Sequence, residues 1–293
     1  MNRAAEAAGP SGHGPRGATP DLGSGREVRS LLARHGLTPD RALGQNFLID
    51  RRALAAVVEA ADPPREATVL EVGPGLGTLT GALAVRVARV LAVELDGRLL
   101  PALRETTDAH ANVEVVQGDA MRFDHATMPE GSLLVSNLPY GVATALLQEA
   151  LASGRYRRMA VLVQREVAER ITAAPGEPGF GAFSLICRHY ADARIVRTVS
   201  PGCFLPPPNV TSAVVRLDVR PDVAPDPETF ALIRDGFRHR RKTLRNNLRA
   251  AGWSAVAETL ERVGLPAAVR AEALELATWR RLLRAFQGDD AEA

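Results

Sequence analysis

From residue 68 to residue 163 the chain alternates two hydrophobic patterns. Short apolar runs occupy 68–72, 90–93, 113–117, 133–136 and 159–163, each bounded by polar residues or glycine. They are too short to be buried helices, and their valine and leucine content predicts strands. Between them lie 78–86, 97–108, 142–152 and 166–173, where the spacing predicts amphipathic helices. Strands alternating with helices indicate an α/β fold with a parallel sheet covered on both faces, the doubly wound arrangement.

The flanks read differently. Residues 26–36 predict a short helix closed by Gly36, and 50–61 a second helix with Asp50 as its N-cap. After a helix at 183–190 come two closely spaced β-like runs, "ARIVRTVS" and "TSAVVRLDV", which predict a terminal antiparallel hairpin. The segment between them, "PGCFLPPPN", is stiff and proline-rich. "RPDVAPDP", with three prolines in eight residues, reads as a linker. Beyond it the chain is helix-like to Phe286, broken at Gly252, Gly264 and Pro266. The expected organisation is a tail at 1–25, an α/β domain at 26–220 and a small all-helical domain at 226–287. The tail is rich in Gly, Ala and Pro and lacks the apolar segment of a secretory signal, so it is expected to be disordered.

Composition narrows the class only a little. The 293 residues are 46% hydrophobic and 24% charged, with a net charge of +2, as in ordinary globular proteins. Cys187 and Cys203 form no metal-ligand pair, and the six histidines form no metal-binding helix motif. His189, beside Tyr190, is expected to be structural or at the surface. No apolar stretch approaches the roughly 18–20 residues that span a bilayer. A cytoplasmic monomer without a metal is expected.

The chemistry is concentrated at strand ends. "VLEVGPGLGTLT" places Gly73, Gly75 and Gly77 between the first strand and a helix, where backbone N–H groups can meet a ligand. A dinucleotide fingerprint needs glycine at its sixth position, which here is Thr78. Glu94, at the end of the second strand, can accept from both hydroxyls of a ribose. Asp119, at the end of the third, can accept from an adenine amine, with Leu95 and Met121 covering the ring. Each acid taken alone is also compatible with a strand-end cap. Together they point to an adenosyl ligand.

The fourth strand ends in "SNLPY", a polar, stiff and aromatic corner at residues 136–140. Hydride transfer has no use for it, but methylation of a conjugated amine does. Such an amine is a poor nucleophile because its lone pair is delocalised into the ring. The Asn137 side-chain oxygen and the Leu138 carbonyl can pull the amine towards sp³ geometry, exposing the lone pair. Pro139 stiffens the turn, and Tyr140 offers a face for a flipped base, with no role assigned to its hydroxyl.

These residues carry a family resemblance. "GQNFL" (44–48), "EVGPGLGTLT", "ELD", "GDA", "NLPY" and "FLPPPNVTSAVVRL" (204–217) occur in this order. The chain resembles the KsgA/RsmA ribosomal RNA adenine dimethyltransferases, relatives of the Erm methylases, from about Arg26 to Phe286. The resemblance implies a class I S-adenosylmethionine-dependent methyltransferase fold plus the helical C-terminal domain. It also implies dimethylation of two adjacent adenines near the 3′ end of small-subunit rRNA, within an immature subunit. Implied cofactor contacts are Asn46, Leu48, Gly73, Gly75, Glu94, Asp119 and Asn137. Implied catalytic positions are Asn137, Leu138, Pro139 and Tyr140, with Phe204 stacking on the other face of the adenine. The chain departs from the family at Arg41-Ala42-Leu43, where basic and aromatic residues are usual, and at Asn209, usually lysine. Gly44 and the unbroken triple proline favour the small-subunit enzymes over the Erm group.

One segment is strongly basic. "RDGFRHRRKTLRNNLRA" (234–250) holds seven Lys or Arg against one Asp, a local charge of +6 read as a helix. Arg238, Arg240, Arg241, Lys242 and Arg245 are the expected phosphate contacts. Three other readings compete: an Erm-like enzyme acting on large-subunit rRNA, an assembly factor that acts mainly by binding, and a nicotinamide oxidoreductase. Thr78 and "NLPY" oppose the last.

Overall fold

The computed structural model describes residues 22–288. Most of the expected tail therefore lies outside the described residues, but its end does not. Leu22 is buried with Val28, Leu31, Phe47 and Leu76, so an apolar anchor precedes the first helix.

The elements run α1 (Gly25–Arg34), β1 (Phe47–Leu48), α2 (Arg51–Ala61), β2 (Thr68–Val72), α3 (Thr78–Ala84), β3 (Arg89–Glu94), α4 (Leu100–Thr107), β4 (Val113–Gln117) and β5 (Ser132–Asn137). They continue with α5 (Ala143–Ala152), β6 (Tyr156–Gln164), α6 (Arg165–Thr172), α7 (Ala182–Tyr190), β7 (Ala191–Val199), β8 (Phe204–Leu205) and β9 (Ser212–Val219). Four helices follow: α8 (Pro227–Gly236), α9 (Leu244–Ala250), α10 (Val256–Arg262) and α11 (Leu276–Gln287).

All five strands read from the 68–163 pattern are present, and Asp50 caps α2 by accepting from the Ala53 N–H at 2.7 Å. The predicted helix at 97–108 is split. A 3-10 turn at Gly97–Leu99, capped by Asp96, leads into α4, whose first turn contains Pro101.

The sheet order is β4-β3-β2-β5-β6-β9-β7. β2 through β6 pair in parallel, while β9 is antiparallel to both β6 and β7. This is a class I Rossmann-like sheet ended by an antiparallel hairpin. The chain moves outwards from β2 to β3 and β4, then returns to place β5 on the other side of β2. That reversal leaves a crevice at the carboxyl ends of β2 and β5, the usual ligand site of an open α/β sheet. The β2–β5 ladder pairs Val69 with Leu133 and Leu70 with Leu134. Beyond those pairs, the Ser136 hydroxyl donates to the Val72 carbonyl at 2.5 Å across the opening.

β1 and β8 pair antiparallel, Phe47 opposite Leu205 and Leu48 opposite Phe204. Two residues are too few to show a period, so this ribbon has no sequence signature. It ties the "GQNFL" loop to the proline-rich segment.

The basic run is not one helix. α8 stops at Gly236, residues 237–243 form turns, and α9 starts after Thr243, which caps it by accepting from the Asn246 N–H at 3.3 Å. Buried Asn247 holds the turn by donating to the carbonyls of Gly236 at 2.7 Å and His239 at 3.1 Å. Gly236 is also needed for packing, because a Cβ there would sit 2.3 Å from the Trp279 ring.

One apolar core runs from Leu70 and Val161 of the sheet to Leu232, Leu248 and Trp279 of the C-terminal helices. The rings of Phe180, Phe237 and Trp279 continue it, with centroids 6.2 and 6.0 Å apart. His189 lies in this junction. Its Nε2 donates to the Ala224 carbonyl at 2.9 Å, and its ring packs edge-on against Phe230, which makes it a structural histidine.

Candidate active site

The crevice holds a cavity of about 680 Å³, within the range of small-molecule sites. Asn46, Leu48, Gly73, Gly75, Glu94 and Asp119 line it, as do Asn137, Leu138, Pro139 and Tyr140. These residues come from the carboxyl ends of β2, β3, β4 and β5, from β1 and from the loop before it, and the fold brings them together.

Gly73 has φ +66°, and a Cβ on it would lie 3.2 Å from Pro139 Cγ. The glycine turn thus lets the "NLPY" corner close against β2. Gly77 serves packing instead, since its Cβ would lie 2.6 Å from the Thr106 hydroxyl of α4.

Glu94 is 5% exposed and is fixed by two backbone donors. One oxygen accepts from the Gly75 N–H at 3.0 Å and the other from the Asp96 N–H at 2.9 Å. Each carboxylate oxygen keeps a further lone pair, so both can still accept from a diol. Burial raises its pKa, and these hydrogen bonds oppose the shift. Asp119 accepts from the Met121 N–H at 2.9 Å through one oxygen. Leu95, which lines the same cavity, is 55% exposed, an apolar surface suited to covering a ring.

Glu71 is the site residue that the sequence reading missed. It lies in β2, lines the cavity, is 1% exposed, and its Oε2 has no hydrogen-bond partner. Burial pushes its carboxyl up to about 8, opposed by the Thr80 hydroxyl and reinforced by the Glu94 charge. A buried carboxyl with one unpartnered oxygen in a ligand cavity suits a cationic ligand, which would favour its ionised form. S-adenosylmethionine, with an ammonium and a sulfonium, fits that requirement. The available signal was an acid inside the apolar run "VLEVG".

A pH effect on stability follows. The folded protein keeps the Glu71 proton up to about pH 8, whereas the unfolded chain loses it near 4.5. The unfolded state binds fewer protons in this window, so stability falls as pH rises through it. Chemical denaturation of Glu71→Gln without cofactor should show a flatter decline between these limits than the parent. An unchanged decline would mean that Glu71 is ionised in the folded protein.

At the corner, the Asn137 Nδ2 donates to the Asn46 carbonyl at 3.1 Å. A carbonyl can only accept, so the amide orientation is fixed and Oδ1 is left on the other side. The Leu138 N–H donates to the Leu162 carbonyl at 3.0 Å, while its side chain is buried. The Tyr140 hydroxyl, to which the sequence assigns no role, has a partner. It lies 2.8 Å from the Ser212 hydroxyl, which is fully buried.

Phe204 requires a correction. It is 2% exposed, packed with Leu48, Leu162 and Val214, and does not line the cavity. Pairing of β8 with β1 turns the ring into the core, so in this conformation it offers no face to a base. Pro206, Pro207 and Pro208, which follow it, form the cavity wall instead.

Residues 38–287 match the family described as "Ribosomal RNA adenine dimethylase". Among similar proteins is "Ribosomal RNA small subunit methyltransferase A" of Deinococcus radiodurans, 45% identical over 92% of this chain and 94% of that one. The protein of the same name from Pelotomaculum thermopropionicum is 39% identical over 88% of this chain and 95% of its own. The chain belongs to the ribosomal RNA adenine dimethylase family. A dimethyladenosine transferase from Plasmodium falciparum shares the fold, with TM-score 0.70 at 23% identity, covering 83% of this chain and 98% of that one. The 23S rRNA methyltransferase ErmE aligns with TM-score 0.64 at 27% identity, covering 83% of this chain and 100% of that one.

The basic positions of this dimethylase-family chain stand apart from the cavity, and none of them lines it. Arg238, Arg240, Arg241 and Lys242 are exposed on the turns between α8 and α9. The Arg240 guanidinium also donates to the Phe180 carbonyl at 3.2 Å, fixing the turn to the α6–α7 loop. Arg245 is half-buried in α9, and its Nε has no hydrogen-bond partner. Among the described residues no cluster of His, Cys, Asp and Glu has metal-site geometry. No described helix is long and apolar enough to cross a membrane.

Proposed function

We propose that the protein dimethylates the 6-amino groups of two adjacent adenines near the 3′ end of small-subunit rRNA, using S-adenosylmethionine, on an immature subunit. The orientation of Asn137 carries this reading, because its amide oxygen is the group left to face a ligand. The full-length relatives named for the small subunit support it over an Erm-like activity.

Bound S-adenosylmethionine supplies an electrophilic methyl sulfonium. The chain's own residues make the amine ready for it. Glu94 takes the ribose hydroxyls and Asp119 the adenine amine of the cofactor, with Glu71 facing its positive charge. Asn137 Oδ1 and the Leu138 carbonyl accept from the target amine, drawing its hydrogens to one side and exposing the lone pair on the other. Tyr140, held by Ser212, stacks on the base. The alkylated amine is acidic and releases its proton to water, so no strong base is required. Incubation with labelled cofactor and isolated immature small subunits should place label in dimethyladenosine. Label confined to large-subunit RNA, or none at all, would refute the reading.

Residues 226–287 then serve as the rRNA-binding part, with the exposed turn between α8 and α9 meeting phosphates. Replacing Arg240, Arg241 and Lys242 with Ala should reduce the slope of log K against log salt by roughly 2–3. Cofactor affinity should stay at the parental value. An unaltered slope in a salt titration would make this turn an ordinary solvated surface.

A further inference from the structure

The loop that holds Asn46 is itself clamped, and the clamp leads back to the cofactor side of the cavity. The Asp40 N–H donates to Gln45 Oε1 at 2.8 Å, and Gln45 Nε2 donates to Asp96 Oδ2 at 2.8 Å. Arg98 closes the group, donating to Asp96 through Nε at 2.8 Å and Nη2 at 2.7 Å and reaching Asp40 at 3.2 Å. Asp96 is 8% exposed, and the Arg98 guanidinium holds its carboxyl down to about 2, so it is acceptor-only at neutral pH. Its backbone N–H is one of the two donors that orient Glu94. One residue past Gln45, the Asn46 carbonyl receives the Asn137 amide.

Residues 35–46 contain no helix or strand, so no regular hydrogen-bond ladder holds this strap in place. Its position over the cavity depends on side-chain bonds, and Gln45 makes one of those that tie it to the carboxyl end of β3, beside the longer Arg98–Asp40 contact. We infer that Gln45 and Asp96 are positioning residues for methyl transfer: they fix the strap so that the Asn46 carbonyl holds Asn137 with its oxygen facing the target amine. The inference rests on the proposed role of Asn137 as the acceptor for that amine. It also connects the two halves of the site. The residue that aims Glu94 through its backbone aims Asn137 through its side chain and the strap.

Single-turnover transfer to immature small subunits with saturating cofactor tests the relay. Gln45→Glu is nearly isosteric and keeps the acceptor for Asp40, but sets a carboxylate against that of Asp96. The rate should fall about 10–100-fold, the cost of a misplaced catalytic group. Affinity for S-adenosylmethionine by calorimetry and for RNA should change far less. Combining Gln45→Glu with Asp96→Asn exchanges donor and acceptor across the link, and the new carboxylate can take the Arg98 Nη2 donor that loses the Asp96 oxygen, so part of the rate should return. In an Asn137→Ala background, Gln45→Glu should cause little further loss, because its effect travels through the missing amide. The relay is overturned if Gln45→Glu reacts at the parental rate, if its loss multiplies with that of Asn137→Ala, or if the combined variant shows no recovery. Should Gln45→Glu not fold by circular dichroism, Gln45→Ala enters the same cycle. A parental rate for Asn137→Ala alone would instead remove the base-gripping role itself, an outcome distinguishable from failure of the relay.

Discussion

Asn137→Ala should slow methyl transfer by about 10²–10³, the usual loss when one well-placed polar contact leaves a preorganised site. RNA affinity should change little, because phosphate contacts on other residues set most of it. The same variant releases the Asn46 carbonyl, so part of the loss comes from a looser strap. Tyr140 gives a graded comparison. Tyr140→Ala removes a stacking face worth roughly 1–3 kcal/mol per base. Tyr140→Phe keeps the face but strands the buried Ser212 hydroxyl, at a cost of about 1–3 kcal/mol in stability. It should therefore lower Tm yet slow transfer less than Tyr140→Ala. Single-turnover kinetics with saturating cofactor separate these cases. A parental rate for Asn137→Ala, or equal damage from the two Tyr140 changes, would contradict the base-gripping corner.

Glu94→Ala should weaken S-adenosylmethionine binding by at least about tenfold, since each charge-assisted hydrogen bond to a ribose hydroxyl contributes roughly 1.5–3 kcal/mol. The structure adds a second source of loss. Without the carboxylate the Gly75 and Asp96 N–H groups lose their acceptor, and the glycine turn is no longer tied to β3. Circular dichroism should report an intact fold, because the sheet ladder does not depend on this side chain. Calorimetry showing unchanged affinity would place the ribose elsewhere. Tighter binding of NAD than of S-adenosylmethionine would overturn the cofactor assignment.

Residue type and neighbours in the chain suggest a stacking role for Phe204 and say nothing of the Tyr140 hydroxyl, yet pairing across long sequence separations decides both. Phe204 turns inwards because β8 joins β1, and Tyr140 is anchored because β9 brings Ser212 beneath it. The basic run shows the same limit. Its charge is plain in the sequence, but its division into turns follows from Asn247 and from Trp279 packed against Gly236.

What the sequence determined by itself was local. Apolar runs of strand length, helical spacing between them, the cap at Asp50 and the chemistry gathered at strand ends are properties of neighbouring residues, so they can be read in order. Glu94, Asp119 and "NLPY" were legible because polar groups at the ends of buried strands have few structural reasons to be there. Tertiary structure decided what depends on distance. Only the return of the chain to β5 beside β2 opens the crevice and sets "NLPY" against the glycine turn. Burial from several elements at once leaves Glu71 Oε2 without a hydrogen-bond partner and raises the pKa of the carboxyl. The orientation of Asn137 depends on a carbonyl in a different loop, and a side-chain amide has no preferred direction until such a partner is placed.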